Sequence, residues 1–235
     1  EKGTIQDSQD AVMGRIQTSI HVEDGQDADL VIEAVFEKLE LKVEVFQKVD
    51  RLCKVKTLIA SNTSSIPITN LAAETKRPEQ VLGLHFFSPV PMMQAVEVIS
   101  GIDTAEETAE AGRKFVEQMG KEPVMVNRDV PGFVINRINF PSMIEAMKLV
   151  EAGVASCEDI DKGLRLATGR KMGIFETGDM VGLDVTCGAM LSMYNETGDS
   201  RFYPPMLLRR KVKAGHLGRK TGKGWYEYDE KGNTK

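Results

Sequence analysis

Between residues 30 and 126, short apolar runs of strand length alternate with stretches whose apolar residues recur at helical spacing, and this alternation limits the fold more than any other feature. Leu30-Val31-Ile32-Glu33-Ala34-Val35 reads as a buried strand, and Lys38 to Leu52 carries Leu39, Val43, Phe46, Val49 and Leu52 along one helical face. Thr57 to Ala60 predicts a second strand, followed by the polar turn Ser61-Asn62-Thr63-Ser64-Ser65 and a short helical segment around Ile68 to Ala73. Val81 to Phe87 and Ala95 to Ile99 read as further strands. Thr104-Ala105-Glu106-Glu107 has the spacing of a capping box opening a helix that runs to Met119, with Gly120 as its stop. Pro123 to Val126 completes the series. Such alternation implies an α/β fold with a mostly parallel, doubly wound sheet, in which ligands bind at the carboxyl ends of the strands.

After Asn127 the pattern changes. Asp129-Val130-Pro131-Gly132 marks a turn, and the apolar spacing is then helical almost to Ala214, with helices expected at Gly132 to Ala152, Cys157 to Ala167, Val181 to Tyr194 and Pro205 to Ala214. The chain therefore divides into a Rossmann-like unit at 1–127 and an all-α unit at 128–235. No G-x-G-x-x-G occurs, although a doubly wound nucleotide domain opens with one. Residues 1–28 read as a connecting helix and strand leading into the middle of such a domain, so the expectation is of a partial domain whose glycine-rich segment is absent.

Composition excludes several classes. A net charge of -5 with both signs interspersed gives no bulk attraction to nucleic acid or anionic membrane. No run approaches a membrane span, and no apolar leader opens the chain, so a cytoplasmic protein is expected. Cys53, Cys157 and Cys187 lie far apart without metal-ligand spacing, which predicts reduced thiols and no metal site; histidine chemistry must fall on His21, His85 or His216.

Of these, His85 stands at the end of one strand, and Glu97, twelve residues on, lies inside the next. Adjacent strands would bring them together, and a carboxylate bonded to one imidazole nitrogen fixes the tautomer and leaves the other as a general base. By pattern alone the pair is also compatible with a satisfied core histidine and an exposed strand carboxylate. The Ser61 to Ser65 turn offers hydroxyls and an amide directly after a strand, as a ligand site or as a helix cap. Asn136 is a polar amide on an apolar helical stretch and wants a partner, a ligand being one candidate.

Taken together, S-N-T-S-S at 61–65, G-L-H-F-F-S-P-V-P-M-M-Q-A-V-E-V-I at 83–99, D-V-P-G-F-V-I-N-R at 129–137 and G-R-K-T-G-K-G-W-Y-E-Y at 218–228 resemble the L-3-hydroxyacyl-CoA dehydrogenase family in order and spacing. The resemblance covers nearly the whole chain. It is greatest to the bacterial type acting on 3-hydroxybutyryl-CoA, through Asn195 to Ser200 and the lysine-rich C-terminus. It implies an NAD-dependent enzyme interconverting short-chain 3-hydroxyacyl-CoA and 3-ketoacyl-CoA, with His85 as base, Glu97 as its orienting partner, and Ser64 and Asn136 on the substrate oxygen. It further implies cofactor contacts at Glu37, Lys42, Asn62, Ser88 and Lys220, an acyl-CoA partner, and a homodimer formed through the all-α unit. Ser88 departs from the asparagine common in relatives, and Ile174 from their proline. Two alternatives remain at this point: a related NAD(P)-dependent dehydrogenase of free hydroxy or sugar acids, and a non-catalytic dimerising module that holds acyl-CoA.

Overall fold

The structure, a computed structural model, describes residues 7–235. Five strands lie side by side in chain order: β1 (Leu30–Glu33), β2 (Leu58–Ser61), β3 (Val81–Phe86), β4 (Ala95–Ser100) and β5 (Glu122–Val126). Neighbours are parallel except β3 and β4. Parallel neighbours need crossovers, and α2 (Leu39–Leu52), α3 (Ile68–Ala72) and α4 (Glu106–Gln118) occupy the connections after β1, β2 and β4. The chain is thus α/β, with a mostly parallel sheet followed by helices.

Alternate residues of a strand face opposite sides of the sheet. Leu82, Leu84, Val96 and Val98 meet Val116 of α4 on one face. Val81 and Ile99 meet Phe46 and Val49 of α2 and Ile68 of α3 on the other. Burying each such side chain contributes about 1.5–3 kcal/mol. The same alternation puts His85 and Glu97 on the α2/α3 face, where Phe133 also packs.

From Ile135 to Lys213 the structure is helical, α5 (Ile135–Glu151), α6 (Cys157–Thr168), α7 (Ile174–Val181), α8 (Leu183–Thr197) and α9 (Met206–Lys213), and between Gly218 and Thr234 isolated antiparallel bridges follow. Their core gathers Phe140, Met147, Phe175, Met190, Leu208 and Trp225. No helix among the described residues is long and apolar enough to cross a membrane.

Four local expectations are corrected. Residues 7–28 hold the short α1 (Gln9–Met13) and a 3-10 turn but no strand, and Ile20 is left 94% exposed with no sheet partner; residues 1–6 of that expectation lie outside the described residues. Thr104 does not cap α4: its hydroxyl donates to the Val81 carbonyl at 2.6 Å and accepts from the Gly101 N–H at 2.8 Å, pinning the loop to β3 instead. The helix expected from Gly132 starts at Ile135, after a turn. The helix expected from Val181 to Tyr194 starts at Leu183 and runs to Thr197, and a further helix, α7, precedes it, the two being separated at Gly182, whose φ of 109° an L side chain rarely adopts. The additional helix, α7, has no Ser or Asp at its own N-cap; Asp161 of α6 accepts from the Phe175 and Glu176 N–H groups in that role.

Candidate active site

Because β1, β2 and β3 are parallel, their carboxyl ends share one edge of the sheet, and β4, running the other way, begins there. His85, next to last in β3, is therefore paired directly with Glu97, third in β4. The His85 Nδ1 lies 2.7 Å from Glu97 Oε2, and both side chains are buried. The Nε2 lies 3.1 Å from Ser64 Oγ, in the turn after β2. A carboxylate only accepts, so Nδ1 carries a proton, and in the neutral imidazole Nε2 presents its lone pair to the Ser64 hydroxyl. Phe87 and Phe133 flank the imidazole, with ring centroids at 4.5 and 5.7 Å.

The second oxygen of Glu97 has a role that the sequence did not indicate. Oε1 accepts from the Val134 and Ile135 N–H groups, each at 2.9 Å. These are free donors at the start of α5, the place where a carboxylate is favoured by both hydrogen bonding and the helix dipole. Phe133, with φ 49°, is the one non-glycine residue of positive φ among the described residues. That costs of order 1 kcal/mol and turns the chain into α5. Asn136 is the second residue of α5, one step beyond the Ile135 N–H, and its amide is partly exposed with no hydrogen-bond partner among the described residues. One carboxylate thus orients the histidine and anchors the helix that carries Asn136.

On the other side of the serine turn, Glu37 Oε1 accepts from the Thr63 hydroxyl at 2.6 Å and from Ser64 N–H, Ser65 N–H and Ser65 hydroxyl at 3.0 Å each. Burial pushes the Glu37 carboxyl upward, but the Thr63 hydroxyl, the Lys42 charge and the turn's other donors outweigh it and hold the group below the usual carboxylate range. Lys42 is not the solvated cation that a lysine near phosphate or ribose would be. It is 1% exposed, with Nζ at 2.8 and 3.1 Å from the two Glu33 oxygens and 3.3 Å from Glu37 Oε2. The Asn62 carbonyl oxygen accepts from the Phe86 N–H at 2.9 Å, tying the turn to the end of β3, while its amide nitrogen has no partner among the described residues. Ser88 is exposed two residues past β3.

Lys220 is not brought to this cluster. Its ammonium lies 2.6 and 2.7 Å from the Asp184 oxygens at the start of α8. The surrounding motif is an anchor: buried Asp179 accepts from the Trp225 and Tyr226 N–H groups and the Tyr228 hydroxyl at 2.8–2.9 Å. Gly224 is required there, since a Cβ would lie 2.0 Å from Asp179 Oδ1.

Glu33, Phe133 and Ser192 were missed in the sequence, and Ser61 was read only as part of the turn, not as a partner of Glu33. Ser61 donates to Glu33 Oε2 at 2.6 Å, and Ser65 and Ser192 are hydrogen-bonded at 3.0 Å, linking the turn to α8. Only Glu33 left a signal, as a carboxylate inside an apolar strand nine residues before a lysine. A concavity of about 380 Å³, lined by Tyr194, Tyr203, Met206 and others, lies on the helical unit and includes none of these residues.

A family model described as "3-hydroxyacyl-CoA dehydrogenase, NAD binding domain" matches residues 1–130, and one described as "3-hydroxyacyl-CoA dehydrogenase, C-terminal domain" matches residues 132–228. The chain is 47% identical over 94% of its length to a Bacillus subtilis protein named "Probable 3-hydroxybutyryl-CoA dehydrogenase", spanning 77% of it. It is 43% identical over 93% of its length to the 3-hydroxybutyryl-CoA dehydrogenase of Clostridioides difficile, spanning 78% of that protein. Among solved structures, (S)-3-hydroxybutyryl-CoA dehydrogenase from Ralstonia eutropha superposes with a TM-score of 0.87 at 42% identity, covering 94% of this chain and 77% of that one. The chain belongs to the 3-hydroxyacyl-CoA dehydrogenase family.

Proposed function

We propose that this chain interconverts short-chain (S)-3-hydroxyacyl-CoA and 3-ketoacyl-CoA with NAD(H), using His85 as general base and acid. The 2.7 Å contact between His85 Nδ1 and Glu97, with Nε2 turned toward Ser64, carries this reading. Glu97 holds the proton on Nδ1, so Nε2 takes the proton of the 3-hydroxyl as the C3 hydride departs. In the opposite direction the imidazolium returns it to the forming alkoxide. The Ser64 hydroxyl and the Asn136 amide fix the oxygen, so that little reorientation is needed at the moment of transfer.

The groups at the strand ends fit the nicotinamide half of the cofactor: the unpartnered Asn62 amide nitrogen and the exposed Ser88 hydroxyl are free to hold a carboxamide or ribose hydroxyl. When bound, NAD supplies the acceptor for the hydride. Division of labour between 1–127 and 128–235, the first holding cofactor and base and the second bringing Asn136, belongs to the same proposal. So do a homodimer through the helical unit, where Val185 and Met206 are more than half exposed, and a cytoplasmic setting that keeps the three unpaired cysteines reduced.

The test is acetoacetyl-CoA reduction followed by loss of NADH absorbance in the full-length protein. His85→Gln is expected to lower turnover by at least about a hundredfold without unfolding it. Near-normal turnover in a folded variant would sink the assignment, and faster turnover of free 3-keto acids than of the thioester would move the substrate class to free acids.

A further inference from the structure

We propose that Glu37 is a positioning residue, which sets the Ser64 hydroxyl against His85 rather than serving mainly as a cofactor ligand; this rests on the roles of His85 and Ser64 given above. Its Oε1 takes four donors from three consecutive residues: the Thr63 hydroxyl, the Ser64 and Ser65 N–H groups and the Ser65 hydroxyl. Its Oε2 is held by Lys42 at 3.3 Å. Both oxygens are therefore engaged within the protein.

The other end of the turn is gripped in the same way. Ser61 Oγ donates to Glu33 Oε2 at 2.6 Å and accepts from the Thr63 N–H at 3.2 Å. Lys42 bridges the two carboxylates from α2, so buried Glu33 and Lys42 and the partly exposed Glu37, whose side chain is 35% accessible, form one clamp on the segment 61–65. Among the described residues Ser64 has no other hydrogen-bond partners: its N–H is spent on Glu37, and its hydroxyl then falls 3.1 Å from His85 Nε2. Loss of Glu37 releases the backbone of Ser64 while leaving His85 and Glu97 untouched. The expected defect is in turnover, since a misplacement of about 1 Å near reacting groups costs up to about a hundredfold.

The experiment compares Glu37→Ala, Ser64→Ala, the double variant and Glu37→Gln in the full-length protein, reading kcat for acetoacetyl-CoA at saturating NADH and the dissociation constant of NADH by fluorescence. Glu37→Ala is expected to lower kcat about 10- to 100-fold, with NADH affinity within about twofold of wild type. The double variant is expected to be no slower than Ser64→Ala by more than about twofold, because both remove the same placement. Glu37→Gln decides the matter if the alanine variant does not fold. A carboxamide must turn its NH2 toward either Lys42 or the turn's donors, so kcat should fall at least about fivefold. A weakened NADH affinity with normal kcat overturns the proposal in favour of a cofactor ligand, and losses that multiply in the double variant overturn it in favour of an independent role. If Ser64→Ala and His85→Gln are themselves near wild type, the underlying site assignment fails with it. If they are crippled while Glu37→Gln is normal, only the positioning role fails.

Discussion

Replacing Glu97 by glutamine separates its two tasks. The carboxylate, 0% exposed, accepts from His85 Nδ1 at 2.7 Å through one oxygen and from the Val134 and Ile135 N–H groups at 2.9 Å through the other. A glutamine has one acceptor oxygen and one NH2. Two convergent N–H donors outbid one, so the oxygen faces α5 and the NH2 faces the imidazole, forcing Nδ1 to accept and Nε2 to carry the proton. The base is then lost while the helix keeps its cap. Holding a catalytic imidazole in the wrong tautomer costs about 10²–10⁴ in turnover, or about 3–5 kcal/mol of barrier at 1.36 kcal/mol per decade. Stability falls by only about 1–2 kcal/mol, since charged acceptors are replaced by neutral ones of the same shape. Alanine, by contrast, strands both N–H groups and opens a void, a loss of about 3–5 kcal/mol. Acetoacetyl-CoA reduction and urea unfolding on the same preparations read both quantities. A folded Glu97→Gln protein with kcat within about threefold of wild type would refute the assignment of the proton to Nδ1. Equal stability of the alanine and glutamine variants would refute the anchoring of α5.

Lys42→Met leaves Glu33 and Glu37 facing one another without their cation and should lower the urea midpoint by the equivalent of about 3–5 kcal/mol; an unchanged midpoint would show that the buried pair contributes nothing. Asp179→Ala removes the acceptor of Trp225 N–H, Tyr226 N–H and the Tyr228 hydroxyl, so the fluorescence of the single tryptophan should shift to the red and residues 218–228 should become susceptible to protease. Unaltered emission would argue against the anchor. Because Glu37 is held below the usual carboxylate range when folded, its contribution to stability is complete above its unfolded value near about pH 4.3 and is lost as pH falls through the folded value. Urea midpoints taken between neutral and acid pH should therefore fall less steeply at the acid end for Glu37→Gln than for wild type, and equal slopes would contradict this.

What could be read in advance divides along physical lines. The strands and α2 were legible because each is a local pattern: apolar runs such as Leu30 to Ile32, and Val43, Phe46 and Val49 at helical spacing, declare the buried face without knowledge of the partner. The His85–Glu97 pair was legible for a similar reason, since two strands adjacent in sequence that pair across a short connection can make a separation of twelve residues a cross-strand contact. What escaped depends on chain segments far apart in sequence. Lys42 looks like any helical surface lysine until Glu33 and Glu37 fold over it. Thr104 has capping-box spacing, yet the Val81 carbonyl offered its hydroxyl a better use. Nothing local marks Phe133 for a left-handed backbone or Ser192 for a bond to Ser65.

The same distinction bears on how the site is built. The His85–Glu97 pair sits within one sheet, but Asn136, which we propose orients the substrate oxygen, sits on the first helix after that sheet. Glu97 is shared between them, with one oxygen on His85 and one on the N-terminus of α5. Any relative movement of α5 must therefore stretch bonds to the carboxylate that sets the imidazole tautomer. Ser65 and Ser192 supply a second tether, on the side of the turn that carries Ser64. Placement of Asn136 and readiness of His85 are consequently not independent variables in this protein, and a substitution that loosens the start of α5 should lower turnover even where it touches neither residue.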